Sequence, residues 1–225
     1  MVPFSFADHE FALVQGRALY WRRENALLMA DLHLEKASFF ARFGQMLPPY
    51  DSRETLERIA LAIRETGARR VFTLGDNFHD AGGAERLEPY AAGMLAALTR
   101  ATDWVWITGN HDSGSEGAPG GTELAELAVN GLLLRHEALP GEARPELSGH
   151  YHPRLKITAR GRSITRPCAV LSERKLILPA FGALTGGMNA ADPAIIAAMQ
   201  PARSVDAVLS AQGRLVQYPL WRAAA

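Results

Sequence analysis

Six of the seven histidines in this 225-residue chain lie in short motifs that bring imidazole together with aspartate or asparagine, or that directly follow an apolar run. Five such motifs occur in chain order: Asp31-Leu32-His33, Gly75-Asp76-Asn77-Phe78-His79, Gly109-Asn110-His111-Asp112, Arg135-His136 and Gly149-His150-Tyr151-His152. Mixed imidazole and carboxylate ligands without thiolates suit Mn, Fe, Co, Ni or Zn better than a structural zinc site built from cysteines. The motifs therefore predict a centre for divalent metal ions.

The number and type of these side chains predict two ions rather than one. The candidate ligands are Asp31, His33, Asp76, Asn110, His136, His150 and His152. Residues at i and i+2 of an extended segment point the same way, so each such pair can be presented to one ion. The pairs are Asp31 with His33, and His150 with His152. The Asp76 carboxylate has two oxygens, enough to bridge two ions, and Asn110 adds a neutral amide oxygen. Two ions about 3.5–4 Å apart can generate a hydroxide and neutralise a phosphoryl group during its transfer.

The five motifs, in this order, resemble those of the calcineurin-like metallophosphoesterases, whose patterns are D-x-H, G-D-x-x-H/D, G-N-H-D/E, an isolated H and G-H-x-H. The resemblance covers residues 31–152 and implies a dinuclear centre in which Asp76 bridges the ions. It implies that one ion has the further ligands Asp31, His33 and His152, and that the other has Asn110, His136 and His150. It also implies that His111 is a catalytic residue that binds no metal and that stabilises or protonates the leaving oxygen.

A narrower resemblance concerns the substrate. Residues 75–79 match the G-D-x-F-H pattern of the SbcD-type DNA repair nucleases, which implies that His79 lies near His111 and the substrate as a catalytic residue. Orientation of a metal ligand is the alternative role for His79. The chain after His152 is too short for the capping and coiled-coil parts of the SbcD type.

Four further segments are similar to the ligase-associated DNA damage response endonucleases of the PdeM type: residues 31–36, 48–51, 149–153 and 178–187. They extend the resemblance over most of the chain. The resemblance implies a DNA endonuclease that works in one pathway with a repair ligase and a helicase.

A local excess of basic residues follows the last metal motif. Between Pro153 and Lys175 the basic residues are Arg154, Lys156, Arg160, Arg162, Arg166, Arg174 and Lys175, against the single acid Glu173. Such a segment can hold the phosphates of a nucleic acid, with Arg154 as a substrate contact. The alternative is an exposed hairpin whose charges protect its edges. Lys36, which follows the first motif, is either a second phosphate contact or a solvated helix lysine.

Composition limits the class of protein and its compartment. The 24 lysines and arginines balance 24 aspartates and glutamates, which argues against a wholly basic DNA-coating protein and leaves any polyanion to a local patch. The single cysteine, Cys168, excludes an internal disulfide framework and is typical of a reducing compartment, so we expect a cytoplasmic protein. The first residues lack signal-peptide features, and no apolar run of 18 residues predicts a membrane span. Length and composition predict one domain over residues 1–225.

Hydrophobic periodicity predicts an α/β fold. We expect strands at residues 11–14, 18–21, 26–30, 71–74, 104–108, 132–134, 169–171, 176–178 and 215–218. Helices are expected between the capping pair Asp51-Ser52 and Gly67, at 85–99 and at 122–129. The polar motifs follow apolar runs and so lie at the carboxyl ends of strands, where open α/β folds bind ligands. The family resemblance implies a four-layer α/β/β/α sandwich.

These features together predict a dinuclear metallophosphoesterase that hydrolyses phosphodiesters in nucleic acid, with a hydroxide bridging the ions as the nucleophile. Two divalent ions are the expected cofactors, Mn first, with Fe, Zn, Co or Ni as alternatives. A nucleotide phosphatase or small-molecule phosphodiesterase is the alternative enzyme, favoured by the net charge of zero and by the lack of an evident DNA-binding domain. A non-catalytic scaffold would have lost ligands, and none is missing here.

Overall fold

In the computed structural model, which describes residues 1–112, 120–159 and 161–224, the strands form two seven-stranded sheets and a separate two-stranded sheet. The first large sheet runs in chain order through β1 (Val2–Phe6), β2 (His9–Val14), β3 (Ala18–Trp21), β4 (Ala26–Met29), β5 (Arg70–Leu74), β6 (Asp103–Ile107) and β7 (Thr122–Leu124). Strands β1 to β4 pair antiparallel, whereas β4 to β7 pair parallel. The parallel half therefore brings the carboxyl ends of neighbouring strands to one edge.

The second large sheet and the two-stranded sheet use the rest of the chain. Their strands are β8 (Glu126–Val129), β9 (Leu132–Arg135), β10 (Glu146–Ser148), β11 (Arg154–Ala159), β12 (Arg162–Pro167), β13 (Ala169–Leu171), β14 (Lys175–Ile177), β15 (Ser204–Ala211) and β16 (Arg214–Arg222). The spatial order of the large sheet is β16, β15, β13, β14, β10, β9, β8, and β11 pairs only with β12 within the described residues. Strands β9 and β10 are parallel, so their carboxyl ends also lie side by side.

Helices cover the outer faces of both large sheets. They are α1 (Lys36–Ala41), α2 (Asp51–Thr66), α3 (Gly83–Arg86), α4 (Pro89–Ala101) and α5 (Pro193–Ala198). One apolar core lies between the sheets and includes Leu28 from the first and Leu176 from the second. A second core joins Leu56 of α2 and Leu95 of α4 to the first sheet, and a third joins Ile195 of α5 to the second sheet. The expected four-layer α/β/β/α arrangement is confirmed.

The residues expected to cap α2 are its first two residues and have another role. The Asp51 carboxylate accepts a hydrogen bond from the Ala37 backbone N–H at 3.1 Å, and the Ser52 hydroxyl accepts one from the Glu35 backbone N–H at 2.7 Å. These bonds fix the turn that leads from the first metal motif into α1. The helix ends at Gly67 as expected, where φ is +69°.

The helix expected at residues 122–129 is absent, because this segment forms β7 and β8. In β8, Leu127 and Val129 pack against the core between the sheets while the alternate residues are exposed, which is the period of a strand. Asn130 and Gly131 have φ values of +48° and +84° and turn the chain back into β9. An Asn-Gly pair between apolar runs is a strong hairpin signal, and it decides this segment against helical spacing.

Candidate metal centre

The five histidine motifs meet at one edge of the two large sheets. Asp31, Asp76 and Asn110 follow β4, β5 and β6 of the first sheet. His136 and His150 follow β9 and β10 of the second sheet. These strands are parallel neighbours within each sheet, so their carboxyl ends are adjacent. Side chains from five distant segments of the chain are thereby brought together.

Asp31, His33, Asp76 and His152 form a first cluster, in which one donor atom from each residue lies within 4.8 Å of the others. The Nε2 atoms of His33 and His152 are 3.1 Å apart. His33 Nε2 is 3.5 Å from Asp76 Oδ2, and His152 Nε2 is 3.6 Å from Asp31 Oδ1. The family resemblance assigns this donor set to one ion.

Asp76, His136 and His150 form a second cluster within the same limit of 4.8 Å. His136 Nε2 lies 2.9 Å from Asn110 Oδ1, 3.1 Å from His150 Nδ1 and 3.4 Å from Asp76 Oδ1. His150 Nδ1 is 3.2 Å from the same Asn110 oxygen. Asp76 therefore directs one carboxylate oxygen to each cluster, which is the arrangement that a bridging ligand requires.

Asp31 and His33 lie in one cluster, as the i, i+2 spacing allows, but His150 and His152 do not, and their division is the one that the family resemblance implies. His152 lies in the first cluster and His150 in the second. The conformation is not extended at any of the four residues, whose φ values are +53°, +43°, +72° and +48° in chain order. Side chains alternate between two faces only in an extended strand, so a left-handed backbone can send the two histidines to different clusters.

Left-handed backbone is concentrated at this site and is held by hydrogen bonds between motifs. Asp76 also has a positive φ, of +48°. The backbone N–H of Asp31 donates to the Gly75 carbonyl at 3.1 Å, and that of His33 donates to the Asp76 carbonyl at 2.9 Å. Each left-handed residue other than glycine costs about 1–2 kcal/mol, and such strain is typical of functional sites.

The donor atoms fit divalent metal ions. His136 Nδ1 donates to the Leu74 carbonyl at 3.0 Å, which leaves the Nε2 lone pair facing the second cluster. Burial is the main cause that lowers the pKa of His33 to about 2, so its imidazole is neutral at neutral pH and keeps a lone pair. His33 and His152 would each offer an Nε2 lone pair to the same ion. The observed separation of His33 and His152 Nε2 is 3.1 Å.

His111 lies beside the first cluster with its side chain accessible from outside. Its Nδ1 donates to the His79 carbonyl at 2.7 Å, and its Nε2 is 4.0 Å from Asp76 Oδ2. The His111 side chain is 36% exposed, against 4% for Asp76. The His79 ring stacks on the His111 ring with centroids 5.1 Å apart, and burial lowers the pKa of His79 to about 4. His79 therefore supplies both a hydrogen-bond acceptor and a stacking surface that hold His111. Together with His33, the two form a third group of donors within 4.8 Å.

Asp112 ties two of the motifs together. Its Oδ1 accepts hydrogen bonds from the backbone N–H groups of Asn77 and Phe78, at 3.0 and 3.1 Å. Its Oδ2 accepts from the Gly109 backbone N–H at 2.8 Å and from Asn77 Nδ2 at 3.0 Å. The carboxylate is buried, and burial raises its pKa. It links the motif that contains Asp76 to the next motif along the chain.

Each of the two candidate substrate contacts closely follows a histidine of the first cluster in the chain. Lys36 begins α1, three residues after His33, and its charge contributes to lowering the pKa of both His33 and His79. Burial also lowers the pKa of Lys36 itself. Arg154 begins β11 and lines a small cavity together with His152. Both cations are thus close to cluster residues.

Arg17 is a neighbour of this site that sequence analysis missed. Its guanidinium donates to the Gly182 carbonyl at 3.1 Å and lines the same cavity as Arg154. Burial lowers the pKa of Arg17, and repulsion from Arg58 and Arg154 lowers it further. An isolated arginine between two strands gives no sequence signal, because its proximity to the site depends on the packing of the second sheet.

The basic segment 153–175 is divided by the fold. Lys156, Arg162 and Arg166 are exposed on the two-stranded sheet, and Arg160 lies outside the described residues. Lys175 is buried and does not belong to any basic surface, which corrects the sequence expectation. Its Nζ donates to three backbone carbonyls, those of Leu139, Ala198 and Gln200, and lies 3.5 Å from Glu146 Oε1. Burial of an ammonium requires this full set of partners.

The calcineurin-like phosphoesterase family matches residues 25–211, a range that contains both clusters. The chain belongs to this family. This phosphoesterase is therefore a hydrolase of a metal-dependent family, and its Asp and His clusters are the groups that could bind metal.

One solved structure shares both the fold and part of the sequence. The nuclease MPE from Pseudomonas putida superposes with a TM-score of 0.70 at 28% identity, and the match covers 97% of this phosphoesterase and 98% of the nuclease. YfcE, a phosphoesterase from E. coli, gives a TM-score of 0.39 at 16% identity, with 82% of this chain and 90% of YfcE covered. No curated protein matches the chain. Among the described residues, the phosphoesterase has no helix with the length and apolar character needed to cross a membrane.

Proposed function

We propose that this phosphoesterase is a DNA endonuclease that hydrolyses phosphodiester bonds in DNA repair. The observation that carries the proposal is the likeness to the nuclease MPE, which extends over 97% of the chain at 28% identity. The two donor clusters support it, because Asp76 Oδ2 lies 3.5 Å from His33 Nε2 while Asp76 Oδ1 lies 3.4 Å from His136 Nε2. Joined clusters of this kind suit in-line displacement at a phosphodiester.

The proposed cofactors are two divalent ions, with Mn as the first choice. We assign the first ion to Asp31, His33, Asp76 and His152, and the second to Asp76, Asn110, His136 and His150. When bound, such a pair makes water a nucleophile at neutral pH and neutralises charge on the phosphoryl group. Imidazole nitrogens combined with carboxylate and amide oxygens suit Mn better than a thiolate site would.

His111 is the proposed catalytic acid. Its Nδ1 is engaged by the His79 carbonyl at 2.7 Å, so the atom free to meet a substrate is Nε2. A protonated Nε2 can donate to the leaving oxygen as the bond to phosphorus breaks. His79 acts with it by holding the ring in this orientation. A His111→Ala variant should therefore lose most when the leaving group is a poor one.

Lys36 and Arg154 are the proposed contacts to substrate phosphates. Arg154 is only partly buried, and Arg17 places a second guanidinium in the same cavity. Among the described residues, the lining of that cavity contains no carboxylate. Arginine pairs of this kind bind phosphate oxygens through fork-shaped N–H groups. We further propose that the enzyme is cytoplasmic and works in one pathway with a repair ligase and a helicase.

The test is metal-dependent cleavage of supercoiled plasmid, linear duplex, single-stranded DNA and free nucleotides by one enzyme preparation. We expect nicking of the plasmid with Mn²⁺, loss of nicking in EDTA and recovery when Mn²⁺ is restored. Asp76→Asn and His111→Ala should each lose the activity. Asp103→Asn is the matched control, since the Asp103 side chain is 61% exposed and pairs with Arg70 away from the clusters.

Two outcomes would overturn the proposal in different ways. Turnover of p-nitrophenyl phosphate without turnover of bis-p-nitrophenyl phosphate or DNA would show a monoesterase and reject the nuclease. Full activity of Asp76→Asn or His111→Ala protein would reject the residue roles while leaving the nuclease in place.

A further inference from the structure

An open cavity of about 390 Å³ lies between α1, the chain that follows it and residues 183–186. Its wall includes Lys36, Phe40, Gln45, Leu47, Leu184 and Thr185. The sequence motifs assign no role to this cavity except through Lys36. It is large enough for one heteroaromatic ring system together with part of its sugar.

The cavity adjoins the metal centre on two sides. The Phe40 ring lies 5.5 Å from the His79 ring, centroid to centroid, and Lys36 belongs to the same wall of the cavity as Phe40. On the other side, Thr185 lines both this cavity and the smaller one that contains His152 and Arg154. A nucleotide whose phosphate lies at the clusters therefore has this cavity within reach of its base.

The lining matches the chemistry of a base. Phe40, Leu47 and Leu184 supply apolar surface, and the Phe40 ring is only partly buried. Gln45 adds an amide, and Thr185, whose hydroxyl donates to the Gly182 carbonyl, keeps acceptor capacity for a base edge. Lys36 is the one charged residue of the lining among the described residues. A flat, neutral, hydrogen-bonding ring joined to an anion satisfies all three features.

We propose that this cavity binds the nucleobase of a nucleotide next to the scissile phosphate, with Phe40 as the stacking surface and Lys36 on the neighbouring phosphate. The proposal rests on the proposed nuclease function. Aromatic side chains stack on bases of any sequence, so the cavity favours an unstacked base without selecting its identity.

The test combines protein variants with removal of a base from the substrate. Phe40→Leu keeps an apolar side chain and removes the ring, and Phe43→Leu is the matched control, since Phe43 belongs to the same segment, is 67% exposed and does not line the cavity. The substrates are one oligonucleotide with all its bases and a set with a tetrahydrofuran abasic residue at each position that flanks the cleavage site. A second variant, Leu47→Ser, changes a partly exposed loop residue and so is not at risk of misfolding.

We expect Phe40→Leu to lower kcat/KM on the complete oligonucleotide by about 5- to 100-fold, the range for loss of one stacked base. On one abasic substrate, wild type and Phe40→Leu should be equal, whereas Phe43→Leu should match wild type on all substrates. Leu47→Ser should show the same pattern with a smaller loss. Metal-free binding in EDTA, followed by fluorescence anisotropy, should show the same dependence on the base.

An equal loss for Phe40→Leu on every substrate would mean that the ring only supports His79, and would overturn the proposal. Equal metal-free affinity for the complete and all abasic oligonucleotides would also overturn it. If wild-type protein cleaves no oligonucleotide but binds the complete one better than one abasic form, the proposed nuclease function fails while the base cavity stands.

Discussion

Asp112→Asn is the substitution for which the structure makes the sharpest prediction. The Asp112 carboxylate accepts hydrogen bonds from four N–H groups, one of which, the Asn77 backbone N–H, reaches both carboxylate oxygens. Asparagine keeps one acceptor oxygen and replaces the other with an NH2 group of nearly the same size. Whichever way the amide is turned, its NH2 faces two N–H donors. With the amide oxygen at the Oδ2 position, the Asn77 backbone N–H keeps an acceptor at 3.2 Å, so the substitution removes at least the Phe78 hydrogen bond and leaves no cavity.

The magnitude follows from the number of bonds and their burial. A hydrogen bond to a charged acceptor contributes about 1.5–3 kcal/mol to stability, so the loss of at least one predicts a decrease of about 1.5 kcal/mol or more in the free energy of unfolding. Asp112 is only 7% exposed, so water does not replace the lost partners easily. Because the residue joins the Asp76 motif to the Asn110 motif, we also expect metal affinity or activity to fall by about 10- to 100-fold.

Urea unfolding of the metal-free protein measures the stability change, and isothermal titration with Mn²⁺ measures metal affinity. Asp103→Asn is again the control, because an exposed ion pair such as Asp103 with Arg70 contributes at most about 1 kcal/mol. A stability loss below about 1 kcal/mol for Asp112→Asn, with unchanged Mn²⁺ affinity, would refute the role of Asp112 as the tie between the motifs.

Three further outcomes are expected. First, the free energy of unfolding of the metal-free protein should fall when the pH is lowered from about 7.5 to about 5.5. The folded pKa of His33, about 2, lies below the unfolded value of 6.5, so the unfolded chain binds the additional proton. The His33 contribution to this fall is about 1.4 kcal/mol, and His33→Asn should remove it in urea titrations at the two pH values. Second, Lys175→Met should lower the free energy of unfolding by about 3 kcal/mol, since it removes one of the two cations that face buried Glu146 and the donor to three backbone carbonyls. Third, the double variant Lys156→Glu/Arg162→Glu should weaken DNA binding and reduce its dependence on salt concentration, while turnover of bis-p-nitrophenyl phosphate stays unchanged.

Each of these outcomes has a control and a contrary result. A pH dependence that is the same in His33→Asn and wild type would show that other groups cause it. Arg174→Met is the control for Lys175→Met because Arg174 is exposed, and equal losses for the two would contradict the buried role of Lys175. If the salt dependence of DNA binding is unchanged in the double variant, the alternative is favoured, in which the charges of the hairpin only protect its edges from pairing.

Sequence predicted much of this fold because the apolar runs and the motifs after them are local features. The strands around 71–74 and 104–108 and the helix that ends before Gly67 are confirmed within a residue or two. Sequence-based prediction failed at segment 122–129. The spacing of its leucines and valine fits a helix, but the segment pairs with β6 and β9, and these pairings exist only in the folded chain. The burial of Lys175 could not be predicted either, because its three carbonyl partners come from segments distant in the chain.

The sequence by itself determined which side chains meet at the candidate metal centre, because each motif sits directly after a strand and parallel neighbours bring those ends together. The family resemblance implies how the donors divide, but the local spacing does not, and the physical cause of the division lies in the tertiary structure. His150 and His152 are two residues apart and lie in different clusters, since both have left-handed backbone and each cluster needs partners from both sheets. Tertiary structure also determined what surrounds the candidate metal centre, because it places Arg17 beside Arg154 and the Phe40 cavity beside His79. Contacts of that kind arise from the packing of layers, which no local pattern in the chain records.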